Sequence, residues 1–291
     1  MEELLKLNLE TKYVDFIKNQ NFQDKELQRS FLKLLELTNC LEREKEWDLI
    51  RVKITNINKT SRLANPFYIG FGNPNSDLLF LGKEKGFDIS KHPELFIKES
   101  INNIGHWNYI SKLGEPINHS LLLGQLGFNP MFPRIYHKQK LPTRHTWGLY
   151  SQVVAGLYNK NSADIFKELD NFNCSFFRDC FISEINFIPS KYSQGQKLIR
   201  ERKELLQNSF YNNFSKVVVG AMGYLTIEEI KVLFKITENG QVISLGNNRQ
   251  REIKIWKFRN NYNQTIVYCN QLSGAAGWTN EAIVNLINHL K

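Results

Sequence analysis

Two strand-to-loop junctions hold side chains that could do chemistry. The first is Leu78-Leu79-Phe80-Leu81 followed by Gly82-Lys83-Glu84-Lys85-Gly86 and Phe87. The second is Ile266-Val267-Tyr268-Cys269 followed by Asn270-Gln271-Leu272-Ser273-Gly274. Each is a short apolar run that ends in a glycine-containing turn with polar side chains. In an open α/β sheet such turns sit at the carboxyl ends of strands, where ligands bind. A carboxylate there, Glu84, can activate a water or stabilise a cationic transition state. The alternative for Glu84 is a solvated residue on a surface turn. The first turn is not a Gly-x-x-x-x-Gly-Lys-Ser/Thr phosphate loop. It lacks the third glycine of a dinucleotide-binding fingerprint.

The elements around these turns alternate. Asp77 to Leu81 reads as a buried strand, Phe176 to Ile188 as a second strand region, Lys216 to Val219 as a third and Thr265 to Asn270 as a fourth. Helices are expected over His145 to Tyr158, Gln196 to Phe210, the stretch after Thr226 with Glu229 completing a capping box, and Thr279 to Leu290. Val242 to Phe258 reads as a hairpin that turns at Gly246-Asn247-Asn248. The expected fold is α/β: a three-layer sandwich around a central, mostly parallel four-stranded sheet. Residues 1–60 read as a helical N-terminal extension with no chemistry of its own, and residues 61–291 as the α/β domain. Residues 87–145, rich in glycine, proline and aromatics such as His106, Trp107 and Tyr109, read as a long irregular region of the kind that carries function.

Composition narrows the class. The chain has 291 residues, 42% of them hydrophobic, enough for a full core. Its net charge is +9, which suits a polyanionic partner, since Lys and Arg contacts to phosphates release counterions. Solubility alone is the plainer explanation. Arg134, Lys138, Lys140 and Arg144 interleave with Phe132, Tyr136 and Trp147, a mixture found on nucleic-acid surfaces. His145, beside Arg144, is the histidine singled out with it for contact to DNA or the leaving group. The four cysteines form no Cys-x-x-Cys pair, and the histidines show no metal-ligand spacing, so no metal and no cofactor is expected. No window approaches a membrane span, and the start lacks the basic and apolar segments of a signal peptide. A cytoplasmic, monomeric protein with no membrane partner is expected.

The order of these elements and turns, from about residue 66 to 291, resembles the uracil-DNA glycosylase superfamily. The resemblance implies a DNA glycosylase acting on double-stranded DNA. It also implies that Glu84 stands where the family holds its water-activating or charge-stabilising residue, for instance the aspartate of Gly-Gln-Asp-Pro-Tyr. Phe87 then matches an aromatic that lies near the base, with core packing as the alternative. Glu184, at the end of Phe181-Ile182-Ser183-Glu184, matches the residue that reads the everted base, and strand alternation makes Asn186 face the same way. A glutamate accepts hydrogen bonds, which suits the amino group of a cytosine-derived base, and Asn186 could donate to the ring carbonyl. Ser273 and Gly274 match the family's phosphate-pinching turn, with Asn270 and Gln271 as donors to a phosphate or the leaving base. The histidine and proline of that motif have no counterpart, a departure from the uracil-type mechanism. One bacterial antiviral branch of the superfamily removes glucosylated hydroxymethylcytosine from phage DNA, and Glu184 and the large 87–145 region are compatible with it. The alternatives are a non-catalytic nucleic-acid-binding module of the same fold and a uracil or damaged-base repair glycosylase.

Overall fold

The computed structural model describes residues 1–52, 61–89, 91–112, 146–161, 175–190, 198–248, 251–273 and 276–291. Arg144, His145 and Gly274, and the basic and aromatic stretch from Phe132 to Arg144, lie outside the described residues.

The chain is an α/β protein built on one sheet. Its strands are β1 (Phe71–Gly72), β2 (Leu78–Gly82), β3 (Phe181–Glu184), β4 (Lys216–Val219), β5 (Gln241–Asn247), β6 (Glu252–Arg259) and β7 (Thr265–Cys269). Their order is β1-β3-β2-β4-β7-β6-β5. β3, β2, β4 and β7 run parallel to one another, while β1 joins β3 and β6 joins β7 in antiparallel fashion. Among the described residues the sheet is therefore seven-stranded and mixed, not four-stranded. The apolar runs mark the parallel centre because strands covered on both faces are continuously hydrophobic. All five residues of β2 are buried. The edge strands lack that signature: β1 is two residues long, and most residues of β5 are exposed or half-buried. Gly72, at φ +101°, lets β1 lie tight against the Cys180 carbonyl, where a side chain would collide.

Four helices open the chain: α1 (Glu2–Leu5), α2 (Leu9–Asn19), α3 (Lys25–Glu36) and α4 (Cys40–Arg51). Asp24 and Asn39 cap α3 and α4 by accepting from backbone N–H groups. After β2 come α5 (Pro93–Phe96), a π-helical turn (Ile97–Ile101), α6 (Asn103–Lys112) and α7 (Thr146–Leu157). The part of the 87–145 region that is described is thus mostly helical rather than irregular. Trp107 and His106 are buried, while Tyr109 is exposed. Buried Asn102, Asn103 and His106 break the apolar periodicity that would have marked a helix. Asn103 repays its burial: its amide bonds the Ile69 N–H (2.9 Å) and the Gly70 carbonyl (2.9 Å). The remaining helices among the described residues are α8 (Arg200–Leu206), α9 (Ile227–Phe234), which opens with the Thr226–Glu229 capping box, and α10 (Asn280–Leu290), capped by Thr279. No helix among the described residues is long and apolar enough to cross a membrane.

α1, α2 and α4 pack onto the α5–α6 segment, and α3 packs on α2 and α4. Trp47 Nε1 donates to the Pro93 carbonyl (3.0 Å), and its ring lies 5.3 Å from that of Phe96. Buried Arg43 bonds Glu10 (2.9 Å), the Leu35 carbonyl (3.1 Å) and the Ile101 carbonyl (3.5 Å). Tyr13 donates to the Leu63 carbonyl.

Candidate active-site cleft

The chain leaves β2 to form β3 on one side and returns to form β4 on the other. Strand order reverses there, and such points open a crevice beyond the carboxyl ends of strands. A cleft of about 180 Å³ lies at that place. Gly82, Glu84, Lys85, Gly86 and Phe87 line it from the end of β2, Glu184 from the end of β3, and Gln271 from the turn after β7. Glu99, Trp147 and Tyr150 line it from the helical side.

The turn after β2 is held by the segment after β3. Backbone N–H groups of Ile185, Asn186 and Ser190 donate to the carbonyls of Gly82 (2.9 Å), Lys83 (2.7 Å) and Lys85 (2.9 Å). Phe87 N–H donates to the Lys85 carbonyl (3.0 Å) and tightens the bend. Glu84 and Lys85 are thereby fixed on backbone rather than on a loose loop.

Glu84 is only 8% exposed, and its Oε2 has no hydrogen-bond partner. Burial raises its pKa above the ordinary carboxylate value, against a hydrogen bond from Tyr224 and the charge of Lys83. Lys83 itself sits over the Tyr224 ring, 4.6 Å from its centroid, and does not line the cleft. Lys85 does. Its Nζ lies 3.2 Å from the centroid of the Tyr68 ring, donates to the Glu99 carbonyl (3.3 Å) and stands 3.8 Å from Glu99 Oε2. Burial pushes the Lys85 ammonium well down and the Glu99 carboxyl up, and each partly offsets the other's shift.

Glu184 reaches into the cleft across Gly82, whose missing β-carbon leaves room for the carboxyl. Burial pushes its pKa up to about 8; Lys85 opposes the shift, and Glu84 and Glu99 add to it. Such a shift favours the carboxylic acid, which both donates and accepts, over the carboxylate. Its backbone is fixed by Arg202, a fully buried guanidinium on α8. Arg202 bonds the Glu184 carbonyl (2.9 Å), Ser183 Oγ (2.8 Å), the Pro66 carbonyl (3.4 Å) and the Tyr68 carbonyl.

An aromatic wall faces these acids. The Tyr150 ring stacks on Phe80 at 4.1 Å and 9°, and Trp147 meets Tyr150 edge-on at 6.1 Å. Phe87 closes another side, mostly buried.

Of the residues singled out in the sequence, Glu84, Phe87, Glu184 and Gln271 share the cleft. Asn186, Asn270 and Ser273 do not line it. β3 ends at Glu184, so alternation does not carry on to Asn186. The Asn186 Oδ1 accepts from Ile188 N–H (3.3 Å), and its Nδ2 is buried without a partner. Ser273 N–H closes a turn onto the Gln271 carbonyl (2.8 Å), which also accepts from Trp278 Nε1 (3.1 Å). Glu99, Tyr150, Tyr68 and Arg202 escaped the sequence reading. Glu99 and Arg202 look like solvated charges in their local sequence, and only long-range packing buries them. Among the described residues no group of three or more His, Cys, Asp or Glu side chains is placed to hold a metal ion. Comparison with protein-family models, with curated proteins and with solved structures gives no match to this chain.

Proposed function

We propose that this protein is a DNA glycosylase that everts a modified, cytosine-derived base and hydrolyses its N-glycosidic bond. The observation that carries this reading is the cleft itself. It combines a buried carboxyl at a strand end with one oxygen left open, an aromatic wall and a second acid across a missing β-carbon. An extruded base needs stacking surfaces and hydrogen-bonding groups on its pairing edge. Tyr150, Trp147 and Phe87 supply the first. Glu184 supplies an adjacent donor and acceptor, which pair with the ring nitrogen and amino group of cytosine.

Bond cleavage builds positive charge on the sugar, and Glu84 as a carboxylate lowers the energy of that charge and orients the attacking water. The base leaves with the bonding electrons, water adds at C1′, and its proton passes to Glu84. The net charge of +9 supports binding to the phosphate backbone. In this reading the protein works in the cytoplasm as a monomer on double-stranded DNA, and phage DNA with glucosylated hydroxymethylcytosine is the leading substrate.

The test uses duplexes that carry glucosylated hydroxymethylcytosine, hydroxymethylcytosine or uracil at one position. Uracil belongs in the set because a neutral acid also pairs with its carbonyl and imino groups. Each duplex is incubated with wild-type protein or Glu84→Gln and then treated with alkali. Breakage at the modified base by wild type alone, with duplex binding retained in the variant, is the expected result. No base release from any duplex by wild type, or equal release by Glu84→Gln, would overturn the proposal.

A further inference from the structure

We propose that Lys85 is an amine nucleophile, and that the cleft captures an aldehyde, the ring-opened form of an abasic deoxyribose in DNA, as an imine on Lys85 with Glu99 carrying the protons. The aldehyde is the product that base release would leave behind, so this inference rests on the glycosylase reading for its substrate.

Two lysines flank Glu84, and the fold treats them differently. Lys83 lies outside the cleft on the Tyr224 ring. Lys85 turns inward, and its side chain is only 4% exposed. Its Nζ rests on the Tyr68 face with the Glu99 carbonyl and carboxyl beside it. An amine stripped of water in this way is biased toward the neutral, nucleophilic form, which is how imine-forming lysines are activated. The lowered pKa of Lys85 agrees with that geometry.

Glu99 is the matching proton carrier. It projects from the π-helical turn between α5 and α6, and π turns recur at functional sites. It is buried, it lines the cleft, and its Oε2 has no hydrogen-bond partner. A buried acceptor left open costs stability, so its retention calls for a role.

The steps balance without any outside oxidant or reductant. The Nζ electron pair attacks the aldehyde carbon C1′, and the oxygen takes up the amine's proton to give a carbinolamine. Protonated Glu99 gives its proton to the hydroxyl, water leaves, and a C=N⁺ iminium forms. The iminium nitrogen lies over the Tyr68 ring, whose face favours its positive charge. Glu99, now a carboxylate, takes a proton from C2′. The C3′–O bond then breaks, and the phosphate leaves with its electron pair. Water hydrolyses the imine, which frees Lys85 and an unsaturated aldehyde.

The experiment uses a duplex with a preformed abasic site, so that no base need be excised. Full-length protein and duplex are mixed with sodium borohydride, which reduces an imine to a stable amine link. Covalent complex is read on a denaturing gel, and the linked residue is mapped by proteolysis and mass spectrometry. The expected result is an adduct on Lys85 in the wild type, reduced about tenfold or more in Lys85→Ala and kept in Lys83→Ala. Mapping in the wild type holds even where Lys85→Ala folds poorly. No adduct, an adduct on another residue, or undiminished trapping by folded Lys85→Ala overturns the inference. Base release without trapping rejects the inference alone. Trapping on Lys85 without release from any modified duplex supports it and rejects the glycosylase reading.

Discussion

Gly82 and Glu184 are register partners at the carboxyl ends of β2 and β3, and the Glu184 carboxyl occupies the volume that a β-carbon at position 82 would need. The glycine is therefore part of how the acid enters the cleft. Gly82→Ala should destabilise the protein by about 1 kcal/mol, because the Glu184 carboxyl must move aside to admit the methyl group. The same change beside Glu184→Ala should cost less. A double-mutant cycle by urea denaturation should give a coupling energy of about 1 kcal/mol. Strict additivity would show that the two side chains do not compete for space.

Glu84 must be ionised to stabilise charge on a sugar, and its burial lifts its pKa above the ordinary carboxylate value. The base-release rate should therefore decline on acidification while ordinary surface carboxylates are still charged. Glu84→Gln should lose about 100-fold or more in rate and should lose that acidic limb with it. A wild-type rate that stays flat down to about pH 4 would contradict this role.

Glu184 makes stability depend on pH. Burial pushes its carboxyl up to about 8 in the folded chain, from an ordinary value of 4.5. Across that interval the folded state holds a proton that the unfolded chain has released, so stability falls as pH rises from about 4.5 through about 8. Glu184→Gln removes this penalty. Its melting temperature relative to wild type should rise by about 2 °C or more between the acidic and alkaline ends of that window, by scanning calorimetry. A pH-independent difference would mean that the acid is not desolvated.

Arg202 is a fully buried cation whose hydrogen bonds go to backbone carbonyls and a serine hydroxyl. Arg202→Met would leave several buried acceptors unpaired, at a cost of about 3 kcal/mol or more. Arg202→Lys should recover only part of this, since an ammonium cannot reproduce the planar fork. Denaturation midpoints of the three proteins decide it, and near-equal midpoints would show that water substitutes for the guanidinium.

The parallel centre was legible because its strands are uninterrupted apolar runs that end in glycine or polar turns, as Leu78 to Gly82 shows. The helix caps at Thr226 and Thr279 were legible because capping is a local hydrogen-bond pattern. The turn that carries Glu84 was visible for a similarly local reason: the residues after a buried strand of such a sheet lie at its carboxyl end. The edges were not, since β1 is too short to show alternation, and the hairpin's place in the sheet depends on pairing across sequence. The Lys85–Glu99 pair was invisible in principle. Fourteen positions separate the two residues, each reads as a surface charge, and a π-helical turn shifts Glu99 off the face that a regular helix would give it.

The first four helices have a consequence for anyone trimming this protein. Trp47 grips the carbonyl of Pro93 and Arg43 that of Ile101, on either side of Glu99. A version shortened past these anchors would free both ends of the acid's segment at once, and the loss would surface as a missing proton donor forty or more residues away from the cut.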